Sequence, residues 1–270
     1  MIKNNIYIIV IICIIIFSGC SDDPAFDILL GGQPNFINDE GYNRQINIFG
    51  VLRPDLNNNY PQSFIHLERT YAAINDTFSY DIIKNANVKI YLEENNELID
   101  SFLFEYQNPD SLFKLFEYRN STFIPKALEK YQIKCTAEGY KNAVYAETII
   151  PKKPQLSGNI NVNNDIIKLN LINDTSIFLY EIYVFDNENF DFSRILPSLD
   201  SITEVSLNPE FNLTNNTIII IYSYDTNLAT YNSYSNNFIK PGTYRPPITT
   251  VNGGVGCFGS MNFNIFSDFY

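Results

Sequence analysis

Apolar residues recur at every second position along most of this chain, in short runs separated by turn-forming residues. That spacing gives an extended segment one side for a core and one for water, whereas a helix needs a period near 3.6. Ile46, Ile48 and Leu52 open the series, followed by a strand over 64–70 and another carrying Val88, Ile90 and Leu92. A polar turn at Glu94-Asn95-Asn96 precedes a strand over 98–106, and more are expected over 112–118, 131–137 and 143–150. Seven or so short strands with turn signals between them predict a β-sandwich over 44–152.

Pro151-Lys152-Lys153-Pro154 cannot continue a central strand, so a boundary is expected there, with a second β-rich domain over 153–270. In that domain Ile160 and Val162 lead through Asn163-Asn164-Asp165 to Ile167, Leu169 and Leu171, while 178–185 and 218–224 are apolar enough for central strands. The stretch 226–236 breaks the alternation and predicts a short helix. Beyond Pro241 the chain is rich in Pro and Gly and includes Gly253-Gly254-Val255-Gly256-Cys257-Phe258-Gly259, where tight turns or close backbone packing are expected. The fold class expected is therefore all-β.

The first residues read differently. Lys3 precedes an apolar run over 6–17, and Ser18-Gly19-Cys20 follows. This is the layout of a secretory signal peptide over 1–19, too short for a hydrocarbon core that takes about 20 residues to cross. Small residues before a cysteine resemble a lipobox, although Phe17 stands where Leu is usual, and they make Cys20 the expected acylated N-terminus. Two or more acyl chains anchor stably, at roughly 0.8 kcal/mol per buried methylene. Residues 20–43, with Pro24, Gly31, Gly32 and Pro34, read as a tether. Ser21, Asp22 and Asp23 resemble the signal that carries lipoproteins of the Bacteroidota to the exterior face of the outer membrane.

The chain is identified by resemblance with a Bacteroidota lipoprotein family, domain of unknown function 4249. The resemblance runs through Gln45-Ile-Asn-Ile-Phe-Gly50, Ile65-His-Leu-Glu-Arg-Thr70, Ala86-Asn-Val-Lys-Ile-Tyr91 and the segment from Tyr131 to Glu138-Gly139-Tyr140. Its most specific part is Val251-Asn-Gly-Gly-Val-Gly-Cys-Phe-Gly259, in which Cys257 stands where an aliphatic residue is expected. The resemblance implies a transthyretin-like or immunoglobulin-like sandwich followed by a second β domain. It also suggests a place in outer-membrane nutrient uptake beside a TonB-dependent β-barrel transporter, and it implies no reaction.

Chemistry is sparse. The formal charge of −12 disfavours nucleic acid and anionic lipid as partners. The single histidine, His66, lies between Ile65 and Leu67 and is expected to face solvent with Glu68, so histidine-based zinc or triad chemistry has too few ligands. Asp186, Glu188 and Asp191 are read as a solvated acidic loop, without the glycine and ligand order of a calcium loop. No cofactor or metal site is expected. Cys135 is expected in the core; an oxidising envelope permits its pairing with Cys257, but sequence supplies no geometry for the bond. Tyr222, Tyr224, Tyr231 and Tyr234 cluster in sequence and are candidate ligand-binding residues if presented on loops, since tyrosine stacks and donates a hydrogen bond. Asp110-Ser111-Leu112 and Asp200-Ser201-Ile202 resemble an O-glycosylation tripeptide at Ser111 and Ser201. The function expected is a non-enzymatic, membrane-anchored binding or accessory lipoprotein. A structural or adhesive envelope lipoprotein is the alternative, and a carboxylate-dependent hydrolase a third reading.

Overall fold

In the computed structural model, residues 44–54, 63–70, 82–107, 118–235 and 249–267 are described. The leader, Cys20, Ser21, Asp22, Asp23, the tether, Ser111 and residues 112–117 of the strand expected over 112–118 lie outside them, as does the side chain of Tyr234.

The alternation becomes strands, and the fold is all-β with one short helix. In the first sandwich these are β1 (Ile46–Leu52), β2 (Phe64–Arg69), β3 (Ala86–Glu94), β4 (Glu97–Tyr106), β5 (Tyr118–Arg119), β6 (Lys130–Ala137) and β7 (Val144–Ile149). Their order is β1-β2-β5-β4-β3-β6-β7, so β4 forms the corner between the two layers. Ile48, Ile65, Leu67, Ile90, Ile133 and Val144 fill the core between them. Asn95 and Asn96, at φ 53° and 64°, close the β3–β4 hairpin in the left-handed backbone that asparagine tolerates.

The second sandwich has β8 (Asn161–Asn163), β9 (Ile166–Ile172), β10 (Leu179–Asp186), β11 (Asn189–Ile195), β12 (Ile202–Leu207), β13 (Ile218–Tyr224), helix α1 (Thr226–Ser235) and β14 (Val255–Phe266). Strands β12-β9-β8 form a small sheet, opposed to β11-β10-β13-β14 across a core of Ile167, Leu169, Leu171, Tyr180, Ile182, Ile219 and Ile221.

Strand β14 joins the two. Its first half pairs in parallel with β1, Val255 to Ser260 against Asn47 to Leu52, and its second half pairs antiparallel with β13. The boundary expected at 152/153 falls in the β7–β8 connection, but the last strand runs across it. Phe258 and Val251 pack into the first core, and Phe266 packs against the second. Close approach to β1 explains Gly256. Its φ is +108°, and a Cβ there would sit 2.0 Å from the Ile48 carbonyl oxygen.

Three alternate side chains of β14 also hold the proline-bounded connection. Ser260 Oγ donates to Ile149 O at 2.9 Å, Asn262 Nδ2 to Pro151 O at 3.1 Å and Asn264 Nδ2 to Pro154 O at 3.0 Å. A proline has no N–H and cannot extend a ladder, so these side chains satisfy carbonyls that a neighbouring strand otherwise would.

Two expectations are corrected. His66 does not face solvent: it is only 8% exposed, with Nε2 3.6 Å from Glu68 Oε2. Its strand is covered on both faces, because Phe49, Val51 and Phe64 on the side away from the first core pack with Leu228, Ala229 and Tyr231 of α1. The acidic segment at Asp186, Glu188 and Asp191 is no loop but the β10–β11 hairpin, turned at Asn187 with φ 53°. Strands β11, β12 and β14 are additions to the expected series.

Candidate functional site

Strands β10, β11, β13 and β14 turn one face to the second core. The other face carries cross-strand rows that are almost wholly apolar. One row is Phe190, Phe185 and Ile218; the next is Phe192, Tyr183, Ile220 and Ile265. A third runs Arg194, Glu181, Tyr222 and Phe263, and a fourth Leu179, Tyr224 and Met261. Alternation on strands of this kind ordinarily leaves the outer face polar. Here both faces are apolar.

The rings stand in register. Tyr183 stacks on Phe185 with centroids 6.1 Å apart and planes 10° apart, and on Phe192 at 5.8 Å and 22°. Tyr222 meets Tyr183 edge-on at 5.6 Å and lies 5.7 Å from Phe263, over which the Arg53 guanidinium sits at 5.4 Å. Phe190 is 63% exposed and Phe192 45%. Helix α1 covers the fourth row, where Leu228 and Ala229 pack with Leu179 and Tyr224; the first two rows stay open.

One charged pair interrupts this surface. Glu181 is buried and receives Arg194 Nε at 2.6 Å, Tyr224 OH at 2.7 Å and Tyr183 OH at 3.2 Å. Arg194 also donates to Asn232 O of α1 at 3.1 Å. Desolvation and the Glu181 charge push the Tyr183 phenol up to about 12 and the Tyr224 phenol further, so both stay protonated donors. The network fixes the inner tyrosines and ties helix to sheet.

The structure brings Tyr222 and Tyr224 together, stacked at 6.4 Å, but on strand β13 rather than a loop. Tyr224 is buried, with its hydroxyl committed to Glu181. Tyr231 lies on α1, its ring 5.6 Å from Phe49. Tyr183, Phe185, Phe190, Phe192 and Phe263 complete the face and were missed. Their signal is in the sequence: Tyr183 and Phe185, then Phe190 and Phe192, are aromatics two apart on paired strands.

The carboxylates do structural work. Asp186 accepts from Thr214 N at 2.7 Å, from Thr214 Oγ1 at 3.1 Å and from the Thr217 hydroxyl, which together with the Thr214 contacts holds its carboxyl below the usual range. Asp191 accepts from the Phe192 N–H at 2.8 Å. Among the described residues no three acidic, cysteine or histidine side chains converge to hold a metal. Asp225 caps α1, accepting from Leu228 N at 2.9 Å and from Thr148 Oγ1 at 2.6 Å, with Ser260 Oγ 2.7 Å from that threonine. Burial pushes its carboxyl up to about 6 against these hydrogen bonds. Beside it opens a pocket of about 230 Å³ lined by Lys130, Glu147, Phe178 and Asn227. Lys130 is already paired there, 2.8 Å from Glu93 and 2.7 Å from Glu147. Cys135 and Cys257 are free, buried thiols in different clusters, both pushed up to about 12 by desolvation. Ser201 is exposed at the start of the β12 hairpin segment.

No family model and no curated protein matches the chain. Among solved structures it is similar to a cytokine receptor complex, at 10% identity and TM-score 0.28, covering 83% of this chain and 97% of that one. It is also similar to the chicken interferon gamma receptor alpha chain, at 9% identity and TM-score 0.20, covering 67% and 88%. The FN1–FN3 domains of chicken CNTN1 match at 13% identity and TM-score 0.24, covering 67% and 60%. The β-sandwich reading stands on the strands described above, and nothing about ligands or partners passes from these proteins to this chain.

Proposed function

We propose that this protein is a membrane-anchored lipoprotein of the bacterial outer membrane, held by acylated Cys20, with a non-enzymatic binding role. The observation that carries the binding role is the open aromatic face of β10, β11, β13 and β14. Contiguous apolar surface of this kind marks a contact site on a protein otherwise kept soluble by its charge. The face is also preorganised, because the Glu181 network locks Tyr183 and Tyr224 before any partner arrives. Its partner, in keeping with the resemblance to the Bacteroidota family, is a β-barrel transporter of the same membrane.

The test is affinity isolation of the native protein from gently solubilised outer membranes, with mass spectrometry of its partners and N-terminal peptide. A stoichiometric β-barrel that is retained by the unaltered chain and lost from a Phe190→Ala, Phe192→Ala variant supports the reading. An acylated Cys20 with no barrel partner transfers it to the structural or adhesive alternative. An intact Met1 overturns the anchor.

A further inference from the structure

Three buried side chains meet where α1, β7 and β14 come together. Asp225, just before α1, is 5% exposed, Thr148 of β7 is 3% exposed and Ser260 of β14 is 0% exposed. Their oxygens form a chain that ends on a backbone carbonyl. Asp225 Oδ2 lies 2.6 Å from Thr148 Oγ1, Thr148 Oγ1 lies 2.7 Å from Ser260 Oγ, and Ser260 Oγ lies 2.9 Å from Ile149 O. All three separations are hydrogen-bond lengths, and each link needs a proton between its oxygens. The two hydroxyls bring one proton each, whereas a carbonyl and an ionised carboxylate bring none. Two protons cannot serve three links.

We infer that Asp225 supplies the third proton, donating to Thr148 as Thr148 donates to Ser260 and Ser260 to Ile149 O, and that its ionisation is a pH switch at the junction of β7, β14 and α1. The other carboxyl oxygen, Oδ1, accepts from Leu228 N at 2.9 Å in either state, so the cap on α1 is kept. Once the proton leaves, Thr148 turns to donate to the carboxylate, the stronger acceptor. Ser260 can then serve only Thr148 or Ile149 O. The link it abandons sets two lone pairs against each other at hydrogen-bond distance. Ser260 is the first of the three β14 side chains that hold the proline-bounded connection, so the switch sets how firmly the shared strand grips the end of β7. Burial pushes the Asp225 carboxyl up to about 6, in the direction the proton count requires. The surrounding charges are already paired. Lys130 of β6 holds Glu147 of β7 at 2.7 Å across the adjoining pocket, and Lys152 holds Asp174 at 2.5 Å beside Ser176 of the same pocket. Cys257 of β14 and Tyr231 of α1 are both pushed up by burial and stay neutral, and Tyr224 of β13 is committed to Glu181.

The experiment is a pH titration of the Asp225 carboxyl in the full-length protein, followed by infrared spectroscopy and assigned with Asp225→Asn. Below the midpoint the folded, unaltered chain should show a protonated-carboxyl C=O band that Asp225→Asn lacks. Absence of that band overturns the proposal whether or not any variant folds. Ser260→Ala supplies the test of sign. It shortens the chain to one link, which the Thr148 proton serves without conflict, so the ionised form gains and the midpoint should fall by roughly 1 pH unit. If Ser260 merely supported a threonine already donating to the carboxylate, its removal would leave the midpoint in place or raise it, and either result overturns the proposal. Ser223→Ala is the control, because Ser223 Oγ donates to Lys152 O at 2.8 Å, a serine–carbonyl contact of the same connection that lies outside the chain. It should leave the midpoint in place, and an equal fall in both variants overturns the proton count. The result is independent of what the aromatic face binds.

Discussion

Glu181 is the residue on which the candidate face depends most. It is buried with a guanidinium and two phenols directed at it, so truncation removes the acceptor of Arg194 Nε and of the Tyr224 hydroxyl. Breaking a buried pair on one side costs about 3–5 kcal/mol. Glu181→Ala should lower the urea midpoint accordingly, and Glu181→Gln, which keeps an acceptor, should lower it less. Asp225 predicts a pH effect of definite sign. Its carboxyl titrates near 6 in the fold, above the ordinary 3.8, so the fold favours its protonated form. The stability it contributes is complete below about pH 4 and is lost as pH rises toward 6. The stability difference between the unaltered chain and Asp225→Asn should fall by about 2–3 kcal/mol over that window in denaturant titrations. No change with pH would mean that Thr148 and the helix N–H groups offset burial fully. The two buried thiols predict no reaction with a thiol reagent until the protein is unfolded.

At the scale of elements, β14 is the piece whose role its own sequence conceals. Its glycines signal tight turns or close packing, but not a strand that pairs in parallel with β1 and then antiparallel with β13. Asn262 is buried and serves Pro151 O, so Asn262→Ala leaves a carbonyl without its donor and should cost about 1–3 kcal/mol by chemical denaturation. The hairpins were more legible. Asn95-Asn96 and Asn164-Asp165 adopt left-handed turns where the polar pairs were read as turns, and α1 occupies nearly the stretch where alternation fails. The β10–β11 hairpin is masked in the sequence by Asp186, Glu188 and Asp191, which give a solvated-loop signal over the strand spacing of Phe190 and Phe192. His66 was misplaced for a physical reason: alternation reports that one face of a strand is buried and is silent when a helix distant in sequence covers the other.

For the whole molecule, a strand shared by two sandwiches makes their stabilities one quantity. Melting of either side removes a hydrogen-bonding neighbour, packed side chains and the Asn262 and Asn264 contacts from the other. A single unfolding transition is expected, coincident by tyrosine fluorescence and far-UV circular dichroism. Two separated transitions would show that β14 does not couple the halves. The sequence by itself determined the all-β class, most strand positions, the polar hairpin turns at Asn95-Asn96 and Asn164-Asp165 and the burial of Cys135, because these follow from periodicity and turn chemistry within a few residues. Only the tertiary structure decided that the C-terminal strand closes the N-terminal sandwich, that His66 is covered, and that aromatics from four strands form one face. Those features are set by partners up to about two hundred residues apart along the chain, such as Ile48 and Gly256, and local patterning carries no record of which distant strand lies alongside.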